Sequence, residues 1–166
     1  MVQKQLLIWY AQNKRNLPWR NTSDPYIIWL SEVILQQTRV QQGLPYFIKF
    51  TDKYQSIKKL SSAPNDEIMK IWQGLGYYSR ARNMHETAKF LTKHHHGKFP
   101  ETYVELIKLK GIGPYTAAAI ASFAFGEAVA VVDEMFTGFF PDFMPLMNPS
   151  TPRMGKRLLP YLPMSC

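Results

Sequence analysis

This chain of 166 residues has a single cysteine, Cys166, at its last position. One thiol excludes a disulfide framework within the chain and fits a reducing compartment. Long apolar runs are missing as well. The run near the amino terminus, Leu6 to Ala11, is only six residues, whereas a membrane helix needs about 20. No small-residue cleavage site follows it, so no secretory leader is read. The expectation is a soluble intracellular, cytoplasmic protein without membrane contact. Acids are scarce: 12 Asp and Glu stand against 20 Lys and Arg, a formal charge of +8. That surplus suits a polyanionic partner, and it equally suits an ordinary basic surface. Sustained strand alternation is absent except over the short stretch Ala128 to Val132, and there is no internal repeat.

What is present is helical. Apolar residues make up 46% of the chain, enough for one domain with a core. A first helix is expected over Gln3 to Lys14. Asp24-Pro25 starts the next, Asp as cap and Pro at the first helical position, followed by the apolar stretch Tyr26 to Leu35. Ser62, Pro64 and Asp66 surround another start, and Gly74 ends that helix after Trp72. A third runs from about Tyr78 to His94 with Gly97 beyond its end, and a fourth covers Glu101 to Leu109. Pro114 to Phe125 is the fifth, stopped by Gly126. Residues 134–166 differ in character. They hold six prolines and five methionines with no helical period, and prolines that dense interrupt helices.

Leu109-Lys110-Gly111-Ile112-Gly113-Pro114-Tyr115-Thr116-Ala117 lies between two expected helices. Two glycines around one aliphatic residue let the backbone turn tightly and approach another surface closely. The following helix would offer its positive amino-terminal end to a phosphate, the helix-hairpin-helix mode of sequence-independent DNA binding. A plain connection between two helices is the other reading. His94, His95 and His96 are consecutive on a helix and point about 100° apart, so they are read as a polar helix end and not a metal site.

Glu32 has Ile28, Trp29, Leu35 and Gln36 as its helical neighbours. Set among such groups, a carboxyl has a raised pKa and can serve as a general acid. On the polar edge of the helix it would simply face water. Gln36, Gln37 and Thr38 follow, uncharged polar groups suited to base edges. Asp133, after the apolar Ala128 to Val132, is either a helix cap or a second acid. Paired with Glu32 it would complete a two-carboxyl arrangement for breaking a glycosidic bond: one protonates the leaving group and the other stabilises an oxocarbenium-like sugar.

Several segments together resemble the A/G-specific adenine DNA glycosylases of the helix-hairpin-helix base-excision superfamily. They are Leu17-Pro18-Trp19-Arg20, Asp24-Pro25-Tyr26, Leu30 to Thr38, Trp72 to Asn83 (Trp-Gln-Gly-Leu-Gly-Tyr-Tyr-Ser-Arg-Ala-Arg-Asn), Gly111 to Ala117, and Val131-Val132-Asp133. The resemblance covers about four fifths of the chain, to Asp133. It implies an all-α glycosylase domain, a monomer acting on adenine opposite 8-oxoguanine or guanine in duplex DNA, in a bacterial cytoplasm at the nucleoid. It further implies that Glu32 protonates adenine, that Asp133 stabilises the sugar cation, and that Tyr115 assists at the sugar. Gln37 and Tyr77 would wedge into the duplex near the 8-oxoguanine with Leu35 close by, and Arg20 would line the adenine pocket. Thr38, Gly111 and Gly113 complete the expected DNA contacts. The target base would be flipped out of the stack. Bifunctional relatives carry a Schiff-base Lys where this chain has Tyr115, so a monofunctional hydrolase is implied.

The departure begins at Glu134-Met135-Phe136, where the family continues Gly-Asn-Val, then adds helices, a four-cysteine iron–sulfur cluster and an 8-oxoguanine-recognising domain. With Cys166 alone, no such cluster can form within these residues, and no cofactor is expected. Asp133 to Phe140 can be encoded GAT GAA ATG TTT ACC GGG TTT TTT. One G restored after GAT makes the same bases read Asp-Gly-Asn-Val-Tyr-Arg-Val-Phe. The expectation is therefore an incomplete helical domain over 1–133, an irregular tail over 134–166 from a shifted frame, an exposed apolar face at Ile8 and Trp9, and impaired activity. The alternative function is a DNA-binding remnant without base-release chemistry.

Overall fold

The computed structural model describes residues 2–131. Among them are eight α-helices: α1 Val2–Asn13, α2 Pro25–Leu35, α3 Val40–Lys53, α4 Ile57–Ser61, α5 Asn65–Trp72, α6 Ser79–His94, α7 Tyr103–Leu106 and α8 Pro114–Phe125. A 3-10 turn, Pro18–Arg20, precedes α2. There is no strand among the described residues, so the all-α reading holds and residues 128–131 form no sheet.

Local chemistry explains most boundaries. Asp24 caps α2 by accepting from the Tyr26 amide at 2.8 Å, with Pro25 at the first helical position. Asp66 and Glu67 sit in the first turn of α5, where carboxylates complement the helix dipole. α8 stops at Gly126, which adopts the left-handed conformation (φ +70). Two helices, α3 and α4, were not anticipated between positions 40 and 61. α3 contains both Gly43 and Pro45, residues that argue against a helix in isolation. Tertiary packing outweighs them: α3 buries Phe47 and Phe50, and Gly43 faces α2 so closely that a Cβ there would lie 2.7 Å from Leu35 Cδ2. α4 is a short segment capped by Ser56 that buries Ile57 and Leu60. The helix expected over Glu101 to Leu109 shrinks to α7. The chain then tightens through amide bonds three residues back, Lys108 to Glu105 and Leu109 to Leu106, and enters the glycine turn.

α2 is the central element. Seven of its eleven residues are buried, and it packs against α8, α3, α6 and the 3-10 turn. α8 buries Ala117, Ala118, Ala119 and Ala121, small side chains that suit its packing against its neighbours. Aromatic rings fill the rest, with Phe50 against Trp72 at 6.0 Å and Trp29 against Phe99 at 5.4 Å. α1 lies differently: Ile8 and Trp9 are each 59% exposed, as expected from the sequence. No helix among the described residues is long and apolar enough to cross a membrane.

Candidate active site

A cleft of about 870 Å³ opens where the end of α2 meets the start of α8, the 3-10 turn and the turn before α6. α2 contributes Ser31, Glu32 and Leu35 to its lining, and Gln36 and Gln37 follow. Tyr77 and Arg80 line it from the α6 side, Gly113, Tyr115 and Thr116 from the hairpin side, and Trp19 and Arg20 from the 3-10 turn. Seven residues singled out in the sequence (Arg20, Glu32, Leu35, Gln37, Tyr77, Gly113 and Tyr115) thus share one cavity, though they come from four separate segments.

Glu32 is an ionisable group strongly altered by its placement. Its backbone belongs to the most buried helix, beside Ile28 and Trp29, which are 2% and 1% exposed. Its side chain is partly buried and lines the cleft. Burial, which penalises the charged form, pushes its pKa up from 4.5 to about 7. At neutral pH a substantial fraction therefore carries a proton that could be given to a group in the cavity. The solvent-facing reading of Glu32 is set aside.

The hairpin is built as its glycines require. Gly111 has φ +74, and a Cβ on it would lie 2.7 Å from Asn83 Cβ, so the chain passes against α6 where no side chain fits. Ile112 is buried, and Thr87 Oγ1 on α6 donates to the Lys110 carbonyl at 2.6 Å. Lys110 also pairs with Glu86. Gly113 is exposed, caps α8 without any side-chain bond, and has open space where a Cβ would sit. Gln36 Nε2 donates to Thr116 Oγ1 at 3.4 Å, joining the end of α2 to the first turn of α8.

Two of the expected contacts lie elsewhere. Thr38 does not line the cleft; its hydroxyl donates to the Gln36 carbonyl at 3.2 Å and accepts from Arg80 at 3.3 Å, so it serves the backbone of its own turn. Gly111 sits on the α6 side of the hairpin. Asp133 and the tail lie outside the described residues. His94 and His95 stack on Phe90, with ring centres 4.7 and 5.7 Å away, at the end of α6 as expected.

Sequence reasoning gave no role to Arg80, which reaches the cleft from the first turn of α6. A signal was available. A cation in a helix's first turn works against that helix's own dipole, which marks the position without saying what the side chain meets, since Arg82 stands in the same turn. An iron–sulfur cluster does not fit the residues present: it needs four thiolate ligands, and the chain has only Cys166.

Residues 30–158 match the family described as HhH-GPD superfamily base excision DNA repair protein. The chain is 46% identical over 129 residues to an adenine DNA glycosylase of Buchnera aphidicola subsp. Baizongia pistaciae, an alignment covering 77% of this chain and 37% of that protein. The adenine DNA glycosylase of Homo sapiens is 43% identical over 137 residues, covering 77% of this chain and 25% of that protein. The chain thus spans between 25% and 37% of the length of these curated relatives. Among solved structures, a thermostable thymine-DNA glycosylase superposes with a TM-score of 0.76 at 30% identity, covering 82% of this chain and 64% of that one. A non-covalent endonuclease III–DNA complex gives a TM-score of 0.69 over 84% of this chain and 65% of that one. At 21% identity that likeness bears on the fold alone.

Proposed function

The chain belongs to the HhH-GPD superfamily of base excision DNA repair proteins, and from that premise we propose that it forms the adenine-releasing part of an adenine DNA glycosylase. The observation that carries this reading is the protonatable Glu32 inside the cleft, beside the glycine hairpin. The substrate is adenine mispaired with 8-oxoguanine or guanine in duplex DNA. The hairpin holds phosphates without reading sequence, and the adenine enters the cleft extruded from the stack. Glu32 gives its proton to a ring nitrogen of adenine. The glycosidic C–N bond breaks with its electron pair moving onto the base, and positive charge builds on the sugar. The ionised Asp133 carboxylate stabilises that charge, Tyr115 assists at the sugar, and water attacks the anomeric carbon and loses a proton. Tyr115 has no amine with which to form a Schiff base, so strand cleavage does not accompany base release. Gln37 and Tyr77 wedge into the duplex near the 8-oxoguanine with Leu35 close by, and Arg20 lines the adenine pocket.

A single-turnover assay on a duplex with adenine opposite 8-oxoguanine tests this. The wild-type chain should release adenine, and Glu32→Gln should lose roughly 100-fold to 10,000-fold in rate while still binding DNA. Equal release by both proteins would overturn the assignment. A second reading is a DNA-binding chain without base release. Under it, the wild-type chain binds duplex and releases no adenine. We also propose the shifted reading frame for 134–166. The family match itself runs through the junction to residue 158, so the nucleotides after the codon for Asp133 decide the matter. If no single-base change there restores Gly-Asn-Val, the frame proposal is wrong.

A further inference from the structure

Two residues that line the cleft have a left-handed backbone that L side chains rarely adopt: Gln37 with φ +53 and Tyr77 with φ +44. Neither is glycine, and both side chains are exposed. A strained conformation on an exposed loop persists only when surrounding contacts over-determine it. Each turn has contacts of its own, such as Trp72 Nε1 donating to the Gly76 carbonyl at 2.9 Å and the Thr38 amide to the Leu35 carbonyl at 3.1 Å, and one guanidinium touches both turns.

Arg80 divides its two terminal nitrogens between the two strained segments. Nη1, with two hydrogens to share, lies within bonding distance of the carbonyls at the end of α2: Val33 at 3.3 Å, Ile34 at 3.2 Å, and Gln36, the residue immediately before Gln37. The same nitrogen reaches Thr38 Oγ1, the residue immediately after Gln37, at 3.3 Å. Nη2 faces the other way, to the carbonyls of Leu75 at 3.4 Å and Gly76 at 3.5 Å, the latter immediately before Tyr77. The guanidinium carbon lies 5.2 Å from the Trp72 ring centre and 5.7 Å from that of Tyr77. Its planar fork and stacking faces suit this double role, which a Lys ammonium cannot reproduce. Its charge also meets the negative carboxyl end of α2.

We propose that Arg80 is a positioning residue that locks the Gln37 turn and the Tyr77 turn to each other, so that both side chains are presented to DNA as one rigid unit. This rests on the proposed insertion of Gln37 and Tyr77 into the duplex, but the lock is a property of the free protein and can be measured without DNA. In hydrogen–deuterium exchange on the full chain, Arg80→Met should speed amide exchange in both turns, 36–38 and 75–78, by about tenfold or more, with α5 and α8 unchanged. Arg80→Lys, which keeps the charge and aliphatic stem, should fold as the wild type and still loosen at least one turn. A conservative lysine that fully restores protection in both turns would overturn the proposal. So would Arg80→Met loosening only 75–78. If Arg80→Met does not fold, the lysine variant decides by the same criterion.

The DNA arm uses a duplex carrying 2-aminopurine beside an adenine opposite 8-oxoguanine. Wild-type binding should raise its fluorescence through unstacking. Arg80→Met should lose that rise to the level of a Gln37→Ala, Tyr77→Ala double variant. Loss of DNA affinity with normal exchange in both turns would identify Arg80 as a phosphate contact and overturn the proposal. A wild-type protein that gives no fluorescence rise removes the insertion reading and leaves the exchange result standing.

Discussion

At the scale of single residues, Glu32 ties stability to chemistry. Folding raises its pKa from 4.5 to about 7, so between those values the folded chain holds a proton that the unfolded chain has released. Stability therefore falls as pH rises through this window, and the deficit is complete above it. A shift of that size corresponds to on the order of 3 kcal/mol. Glu32→Gln fills the same space and never ionises. It should raise the melting temperature by several degrees at about pH 8.5 and leave it almost unchanged at about pH 4. Equal shifts at both pH values would show that burial does not penalise the ionised form. The same proton predicts a rate profile: adenine release by the wild-type chain should fall about tenfold per pH unit well above 7, because only the protonated acid donates. A flat single-turnover rate through pH 9, roughly two units above that pKa, would remove Glu32 as the donor.

At the scale of elements, the hairpin separates two glycines that look alike on paper. Gly111 has a positive φ and Asn83 Cβ at 2.7 Å from where its own Cβ would sit, whereas Gly113 has φ −83 and open space. Gly111→Ala should cost more than about 2 kcal/mol, because strain and a clash with a non-rotatable atom add together. Gly113→Ala should cost less than about 1 kcal/mol of stability and yet weaken duplex affinity, since its methyl group stands where a phosphate would approach α8. Chemical denaturation together with duplex titration of both variants reads this out. Loss of stability from Gly113→Ala and none from Gly111→Ala would reverse the assignment of roles. Burial on α8 depends in a similar way on small residues. Ala119 is fully buried, and Ala119→Leu should overpack its surroundings at a cost of about 1–3 kcal/mol.

At the scale of the whole molecule, the charge of +8 and the shared cleft act together. Arg15, Arg20 and Arg80 all line the cavity that holds Glu32. Duplex binding should be dominated by phosphate neutralisation. With about six phosphate contacts, affinity should fall roughly a thousandfold between about 50 and 200 mM salt. A salt-independent affinity, measured by fluorescence anisotropy, would exclude the phosphate-dominated mode. Away from the cleft, Ile8 and Trp9 expose apolar side chains, and exposed apolar groups of this kind favour association. Trp9→Arg should reduce aggregation without lowering the melting temperature, because the side chain it replaces is 59% exposed.

The sequence alone determined the features that depend on local chemistry. Asp24-Pro25 started α2, Gly126 ended α8, the spacing around Glu32 put it among apolar neighbours, and the pair of glycines marked the hairpin. Each follows from backbone geometry or a 3.6-residue period acting within a few positions. Only the tertiary structure decided the rest. α3 forms despite Gly43 and Pro45 because burial of Phe47 and Phe50 outweighs propensity. Thr38 turns to its own backbone because Arg80, distant in sequence, occupies the end of α2. That Glu32 lines a cavity with Tyr77 and Tyr115 is a long-range fact, since no local pattern records which helix ends meet.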